Sequence, residues 1–497
     1  MHKHPVLYEI NTRVFLNSPF YNPNPDKPKA RLIDVPLSFW ESLSRLGVDH
    51  VWLMGIWKTS PAVIRHCCFQ EGLINSYNRA LKDWRDEDVI GSPYSIYEYK
   101  LNPDIATEAE LQKVRSALRE LGISLILDFV ANHLSADSVY LREYPGLFIQ
   151  CTNELYSSDT HSFFSHPLHP AISFAHGRDP FFPAWTDTAQ LNYFNPETRL
   201  FMIEQLRYAA SLCDGVRCDM AMLNLNNVFQ NTWGGILSEN NFHKPETEFW
   251  SDAISAIKVA HPDFTFIAEA YWGLEWQLQK LGFNYTYDKL FLDLLKNAPP
   301  ESIRAHLYAE TEYQNKSARF IENHDEERAI ASLGKERSIA AAVIIGTVPG
   351  MCFFHDGQFS GKKIKLPLQL GREPIEKPVP IVHKAYHRLL EILNQDIFHR
   401  GEWELLITSS SWETNFTYNN LLAWQWQLEK KKILVVVNYS PAPAQCRIKL
   451  VLAGFGEIIE LTDLWHNEKY LRSAEEAQNQ GLFIDLKAWD CHILEIV

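Results

Sequence analysis

Short apolar runs return at intervals along the first four-fifths of this chain, and stretches with helical spacing lie between them. The runs begin at Val6-Leu7-Tyr8-Glu9-Ile10 and Val51-Trp52-Leu53-Met54. They continue through Leu125-Ile126-Leu127, Gly215-Val216, Phe264-Thr265-Phe266, Phe283 to Tyr287 and Ala318, and finish at Met351-Cys352-Phe353-Phe354. A strand that is apolar at every position is one whose sheet is covered on both faces, and parallel strands of that kind need crossover helices. Phe39, Leu43 and Leu46 share one helical face ahead of Gly47, as do Leu111, Val114, Leu118 and Leu121 ahead of Gly122. Asn195-Pro196 opens a helix to about Leu212, with proline in its first turn. Eight strand-then-helix units in about 390 residues predict an α/β fold, a (β/α)8 TIM barrel.

The remaining stretches set the domain organisation. Gly55 to about Pro93 reads as a long loop folded over the barrel mouth. Residues 134–195, rich in His, Pro, Phe and Ser, read as a loop-rich insertion after strand three. After His399 the strand-like runs continue without long helices, as in Leu421 to Trp426 and Ile433 to Val437, with Lys430-Lys431-Lys432 as the turn between them. The last strand falls at Cys491 to Val497. The expected division is a catalytic barrel at 1–398 and a C-terminal all-β sandwich domain at 399–497.

Bulk properties exclude several classes. A net charge of −14 argues against a nucleic-acid surface and gives no attraction to anionic lipid. The start, Met1-His2-Lys3-His4-Pro5, has no apolar leader, and no run of about 20 apolar residues predicts a membrane span. The eight cysteines include no C-x-x-C pair, which suits reduced thiols in the cytoplasm and offers no zinc-ligand spacing. Aromatic residues reach 13%, with 15 Trp. Such rings pack the flat apolar faces of a core, and equally those of sugars.

Three carboxylates stand out by position. In Gly215-Val216-Arg217-Cys218-Asp219, alternate side chains share one face, so Arg217 and Asp219 point the same way. A cation there lowers the pKa of Asp219 and favours an ionised, oriented nucleophile. Glu269 ends Phe264 to Ala268, and Asp325 follows Phe320-Ile321-Glu322-Asn323-His324. Acids just past strand ends mark the C-terminal face of a parallel barrel, where such folds carry their chemistry. Taken singly, each acid reads as a solvated loop-end group. Their common placement beside Arg217 and the His324-Asp325 pair points to a site.

With these residues in view, the chain resembles glycoside hydrolase family 13, the α-amylase family. Four blocks match that family's short conserved regions in order: Asp128-Phe129-Val130-Ala131-Asn132-His133, Gly215 to Ala221, Ile267-Ala268-Glu269, and Phe320 to Asp325. The resemblance covers the barrel. It implies a retaining mechanism through a covalent glycosyl-enzyme, with Asp219 as nucleophile and Glu269 as general acid and then base. Asp325 is implied to hold and distort the bound ring. Retention needs the two working carboxyls about 5–5.5 Å apart, with Glu269 raised and Asp219 kept low in pKa. His133 and His324 are implied to bind the same sugar, and Tyr94 to form an aromatic platform beneath it. Asp128 reads as structural.

The sequence also departs from the family. Gln190-Leu191-Asn192 stands where many members carry the Asp-Leu-Asn that helps to bind calcium. No cofactor is therefore expected, although Asn132 matches a calcium-ligand position. Phe354-His355-Asp356-Gly357-Gln358 replaces the usual segment after strand eight. The expected activity is hydrolysis of α-glucans or malto-oligosaccharides. Transfer of the sugar to another sugar acceptor is the alternative, and a non-catalytic carbohydrate-binding protein a third reading. Linkage, exo or endo action and oligomeric state stay open at this stage.

Overall fold

The computed structural model describes residues 4–18 and 30–497. The Met1-His2-Lys3 start, which entered the reading of the N-terminus, lies outside them. Eight parallel strands close into a barrel: β1 (Val6–Asn11), β2 (His50–Met54), β3 (Ser124–Val130), β4 (Gly215–Asp219), β5 (Thr265–Ala268), β6 (Tyr285–Tyr287), β7 (Ser317–Arg319) and β8 (Met351–His355). Each strand pairs with its sequence neighbours, and β8 closes the ring against β1. The strands are almost wholly buried, which is why they read as unbroken apolar runs. Gly215 is required where β4 starts, because a Cβ there would meet the Thr265 carbonyl oxygen at 2.6 Å and the Ile126 side chain at 2.7 Å.

The predicted crossover helices form at Leu37–Arg45, Glu108–Glu120, Pro196–Leu212 and Phe249–Lys258. Local chemistry sets their ends. Thr107 and Glu110 make a reciprocal capping box, Gly122 adopts a left-handed φ of 79° after the second helix, and Asn195 caps the third through the Glu197 N–H at 3.0 Å.

Two expectations need correction. Residues 55–93 are not a structureless loop. A strand, Trp57–Thr59, pairs with Ile96–Leu101, and helices occupy Pro61–Cys67 and Glu71–Ala80. The stretch hid its helices because its apolar residues serve a small separate core. Cys68, Tyr77, Leu81 and Val89 pack with Leu370, which lies in the segment after β8. The second correction is local: the turn in the C-terminal domain is Glu429-Lys430, with Glu429 at φ 54°, so Lys431 and Lys432 already belong to the next strand. The insertion after β3 is as rich in loops as expected, with only two- and three-residue strands and the helices Val139–Glu143 and Asn153–Ser158.

The C-terminal part is an antiparallel domain of a six-stranded and a three-stranded sheet. Period-2 alternation divides the larger sheet between two cores. Leu422, Trp424, Trp426, Ile433, Val435 and Val437 face the barrel, whereas Leu421, Ala423, Leu434 and Val436 face the smaller sheet. The Trp426 indole N–H donates to the Thr347 carbonyl at 2.7 Å, which satisfies its one polar atom inside that interface. Among the described residues no helix is long and apolar enough to cross a membrane.

A polar knot ties the end of this domain. The fully buried Asp463 accepts from His466 Nδ1 and His492 Nδ1, each at 2.7 Å, and His466 Nε2 reaches Asp490 at 3.1 Å. The hydrogen bond to Asp463, helped by Asp490, raises His466 to about 10. Burial alone would raise Asp463, but the two imidazoles outweigh it and hold it below the usual carboxylate range. A raised histidine stabilises the fold fully below its unfolded value of about 6.5, and that contribution is lost as pH climbs toward about 10. A depressed Asp contributes above about 4 and fails as pH falls. The melting-temperature deficit of His466→Ala should therefore be largest between about pH 4 and 6.5 and shrink toward pH 10. Melts of both proteins across that range check it, and a deficit that grows with pH would contradict it.

Candidate active site

The site grows from one cation. Arg217 in the middle of β4 has no solvent exposure. A buried guanidinium needs carboxylates and hydrogen-bond acceptors around it. It pairs with Asp219 through Nη1 at 2.7 Å and with Glu269 through Nη2 at 2.8 Å, with Asp128 at 3.8 Å behind. Its Nε donates to the Tyr287 hydroxyl at 3.2 Å. The rings of Trp52, Tyr94 and Tyr287 surround it at 5.1–5.6 Å. Register explains the meeting: Arg217 lies opposite Asp128 on β3 and Ile267 on β5, two residues before Glu269. Asp219 is thus hydrogen-bonded to one nitrogen of a planar fork, and Glu269 is ion-paired with the neighbouring nitrogen.

Glu269 takes further donors, the Met220 N–H at 2.7 Å and the Tyr271 hydroxyl at 2.7 Å. Met220 reaches it from a left-handed backbone, φ 42°. Burial nonetheless pushes Glu269 up to about 7, against the pull of Arg217. Asp219 departs from expectation. Its burial also raises its pKa, and Arg217 opposes that shift without reversing it. Asp128 is raised to about 7 by burial, and its second oxygen accepts from the Gly55 N–H at 3.0 Å.

A second chain of groups crosses the pocket. His324 Nδ1 meets Glu9 of β1 at 2.5 Å, while Nε2 faces Asp325 and the Tyr94 hydroxyl, each at 2.8 Å. Burial would lower His324, but Asp325 and Glu9 on either side raise it to about 10. The imidazolium in turn draws Asp325 down to about 2, despite its partial desolvation. The Asp325 side chain keeps 41% of its surface exposed and so is open to a ligand. His133 lies on the other flank with its ring 5.1 Å from Trp185. Burial drops its pKa to about 3, so it is a neutral imidazole.

These groups line one pocket of about 660 Å³. Tyr94, His133, Asp219, Glu269 and Asp325 all face it, together with Asp187, Trp185 and Tyr271. All seven residues expected at the site are brought together, five on the pocket wall and Arg217 and His324 directly behind it.

The model of the α-amylase catalytic domain matches residues 40–366, a span that contains every acid lining the pocket. The chain belongs to the α-amylase family, glycoside hydrolase family 13. Alpha-amylase 3 of Dictyoglomus thermophilum is 22% identical over 538 residues, covering 96% of this chain and 91% of that protein. The fold is shared with a noncanonic maltogenic α-amylase, AmyB of Thermotoga neapolitana, at a TM-score of 0.70 and 20% identity over 100% of this chain and 99% of that one. It is shared as well with a debranching enzyme of Nostoc punctiforme, at 0.63 and 15% identity over 99% and 98%. As a family member the chain is a glycoside hydrolase.

Calcium, which the family resemblance raised at Asn132, does not fit the residues present. The Gln190 side-chain NH2 donates to the Asn132 main-chain oxygen at 2.8 Å, to Asn132 Oδ1 at 3.0 Å and to the Leu191 carbonyl at 3.1 Å. A neutral amide thus fills the oxygen cluster, and its oxygen accepts in return from Asn132 Nδ2 at 3.2 Å.

Glu9, Tyr271, Tyr287 and Trp52 were not anticipated at this α-amylase-family site. Glu9 did leave a signal, as the one charged residue inside an otherwise apolar strand, and a buried charge demands a partner. Replacing it by Gln removes a charge-assisted bond to His324, a loss of about 1.5–3 kcal/mol. The kcat/KM of Glu9→Gln should therefore fall roughly 10–100-fold, and an unchanged value would remove Glu9 from the site.

Proposed function

We propose that the protein hydrolyses α-glucans or malto-oligosaccharides with retention of configuration at the anomeric carbon. The observation that carries this reading is the fork of Arg217, which holds Asp219 and Glu269 side by side in one pocket. In the first step an Asp219 carboxylate oxygen attacks the anomeric carbon, the glycosidic C–O bond breaks, and the Glu269 proton passes to the departing oxygen. In the second, water attacks the same carbon, its proton returns to Glu269, and the bond to Asp219 breaks. Arg217 stabilises the Asp219 anion. Burial keeps Glu269 protonated up to about neutral pH. Asp325, held ionised by His324, accepts hydrogen bonds from ring hydroxyls, and Tyr94 and His133 contact the same sugar. The chemistry rests on protein groups and calls for no cofactor. Eight unpaired cysteines, seven of them buried, support a cytoplasmic setting.

The rings of Phe181 and Trp272, 5.0 Å apart and exposed near Tyr271, favour a second activity. An aromatic pair on the Glu269 side offers a sugar acceptor a surface to compete with water. The product then is a longer oligosaccharide rather than a free reducing sugar.

Two measurements test the assignment. On maltoheptaose, pullulan and glycogen, Asp219→Asn should lose at least about 10⁴-fold in kcat; a variant that retains turnover removes Asp219 as nucleophile. The kcat/KM profile should fall above about pH 7, because the free enzyme then loses the Glu269 proton. A profile flat to pH 9 would assign the acid elsewhere.

A further inference from the structure

A second pocket adjoins the catalytic one, and elsewhere the catalytic pocket is lined by two segments far apart in the chain. The second pocket, of about 500 Å³, shares Asp179, Phe182, Met220 and Tyr271 with the catalytic pocket and runs on past Trp272, Lys289 and Leu290. This is the Glu269 side. Under the mechanism proposed above, the departing sugar leaves there.

The catalytic pocket also has lining residues that the second pocket does not share: Ser92, Leu368 and Gln369. They belong to the segments after β2 and after β8, which are bound together along their edges. Ile90 N–H donates to the Gln369 carbonyl at 2.8 Å, Gly371 N–H to the Asp88 carbonyl at 2.8 Å, and Val89 and Leu370 form an antiparallel bridge between them. Arg372 grips Asp88 with two nitrogens, at 2.9 and 2.8 Å, and reaches Asp83 at 3.2 Å. From beneath, Arg13 donates to the Ile90 carbonyl at 3.3 Å and the Leu368 carbonyl at 2.9 Å, one nitrogen for each segment. Leu370 fills an apolar cluster with Tyr77, Leu81 and Val89. Lys365 Nζ donates to the main-chain oxygen of Asp325 and anchors the wall to the site itself. Main-chain bonds, a two-point ion pair and a shared core make this a fixed wall.

We infer that the enzyme acts from the non-reducing end of its glucan. This rests on the roles given to Asp219 and Glu269, which orient the chain. The donor residues occupy the walled pocket and the rest of the chain leaves past Tyr271 and Trp272. The end of the chain faces Ser92, Leu368 and Gln369, so a donor segment longer than the pocket has no path onward. Each turnover then releases a short product of fixed length, and interior bonds of a long chain are cut only by approach from its end.

The test compares two substrates of the purified full-length protein: p-nitrophenyl maltoheptaoside with a free non-reducing end, and the same compound carrying a 4,6-O-ethylidene block there. The free form should turn over, and the blocked form should show kcat/KM lower by at least about 100-fold. Equal rates on both overturn the end-directed reading and leave the glycosidase reading standing. If neither is cleaved, while Asp219→Asn and the parent behave alike on every glucan, both readings fall. Arg372→Ala loosens the wall without touching the catalytic groups. Where a thermal melt shows that it folds, its free-to-blocked ratio should drop at least about 10-fold. An unchanged ratio would deny the Arg372 clamp its part in the wall, while the parent enzyme's ratio still decides the end-directed reading.

Discussion

The catalytic pocket depends on a guanidinium that has been taken out of water. Removing one partner of a buried ion pair costs about 3–5 kcal/mol, so Arg217 dictates what surrounds it. Asp219, Glu269 and Asp128 supply charge, and the rings of Trp52, Tyr94 and Tyr287 supply a weakly polar enclosure. The same constraint orders the acids. Burial raises Asp128 and Glu269 to about 7, and Arg217 opposes both shifts without cancelling them.

The His324 relay works by the opposite balance. Here two carboxylates flank one imidazole, so the imidazole is charged and Asp325 is left ionised at the pocket surface. Glu9 comes from β1 and Asp325 from beyond β7, strands separated in the ring only by β8, and the two meet at His324. Asp325 is therefore tuned, through His324, by a strand that contributes no residue to the pocket wall.

Much of this was legible in the residues. The eight strands announce themselves because a doubly covered parallel strand has no polar face to blur the pattern. The four short blocks placed Asp219, Glu269, Asp325, Arg217, His133 and His324 around one pocket, and Tyr94 joined them. What stayed hidden depends on three-dimensional surroundings. The helices at Pro61–Cys67 and Glu71–Ala80 pack on Leu370, far along the chain, so their local spacing looked irregular. The direction of the Asp219 shift turns on burial, which two residues of spacing do not encode. Gln190 read as the loss of a ligand; its gain, an amide seated among three oxygens, required coordinates.

The zipped segments have a consequence in time as well as in space. One half of the wall is made early in synthesis and the other only after β8, because barrel closure alone sets β8 beside β1. A ribosome that has delivered the chain past Asp325 but not yet β8 has made all three acids, yet Val89 and Tyr77 still lack the leucine they pack against. Contacts this distant in sequence form slowly and last. The packing of the two segments thus completes after the pocket's acids have been made, as a late event of folding.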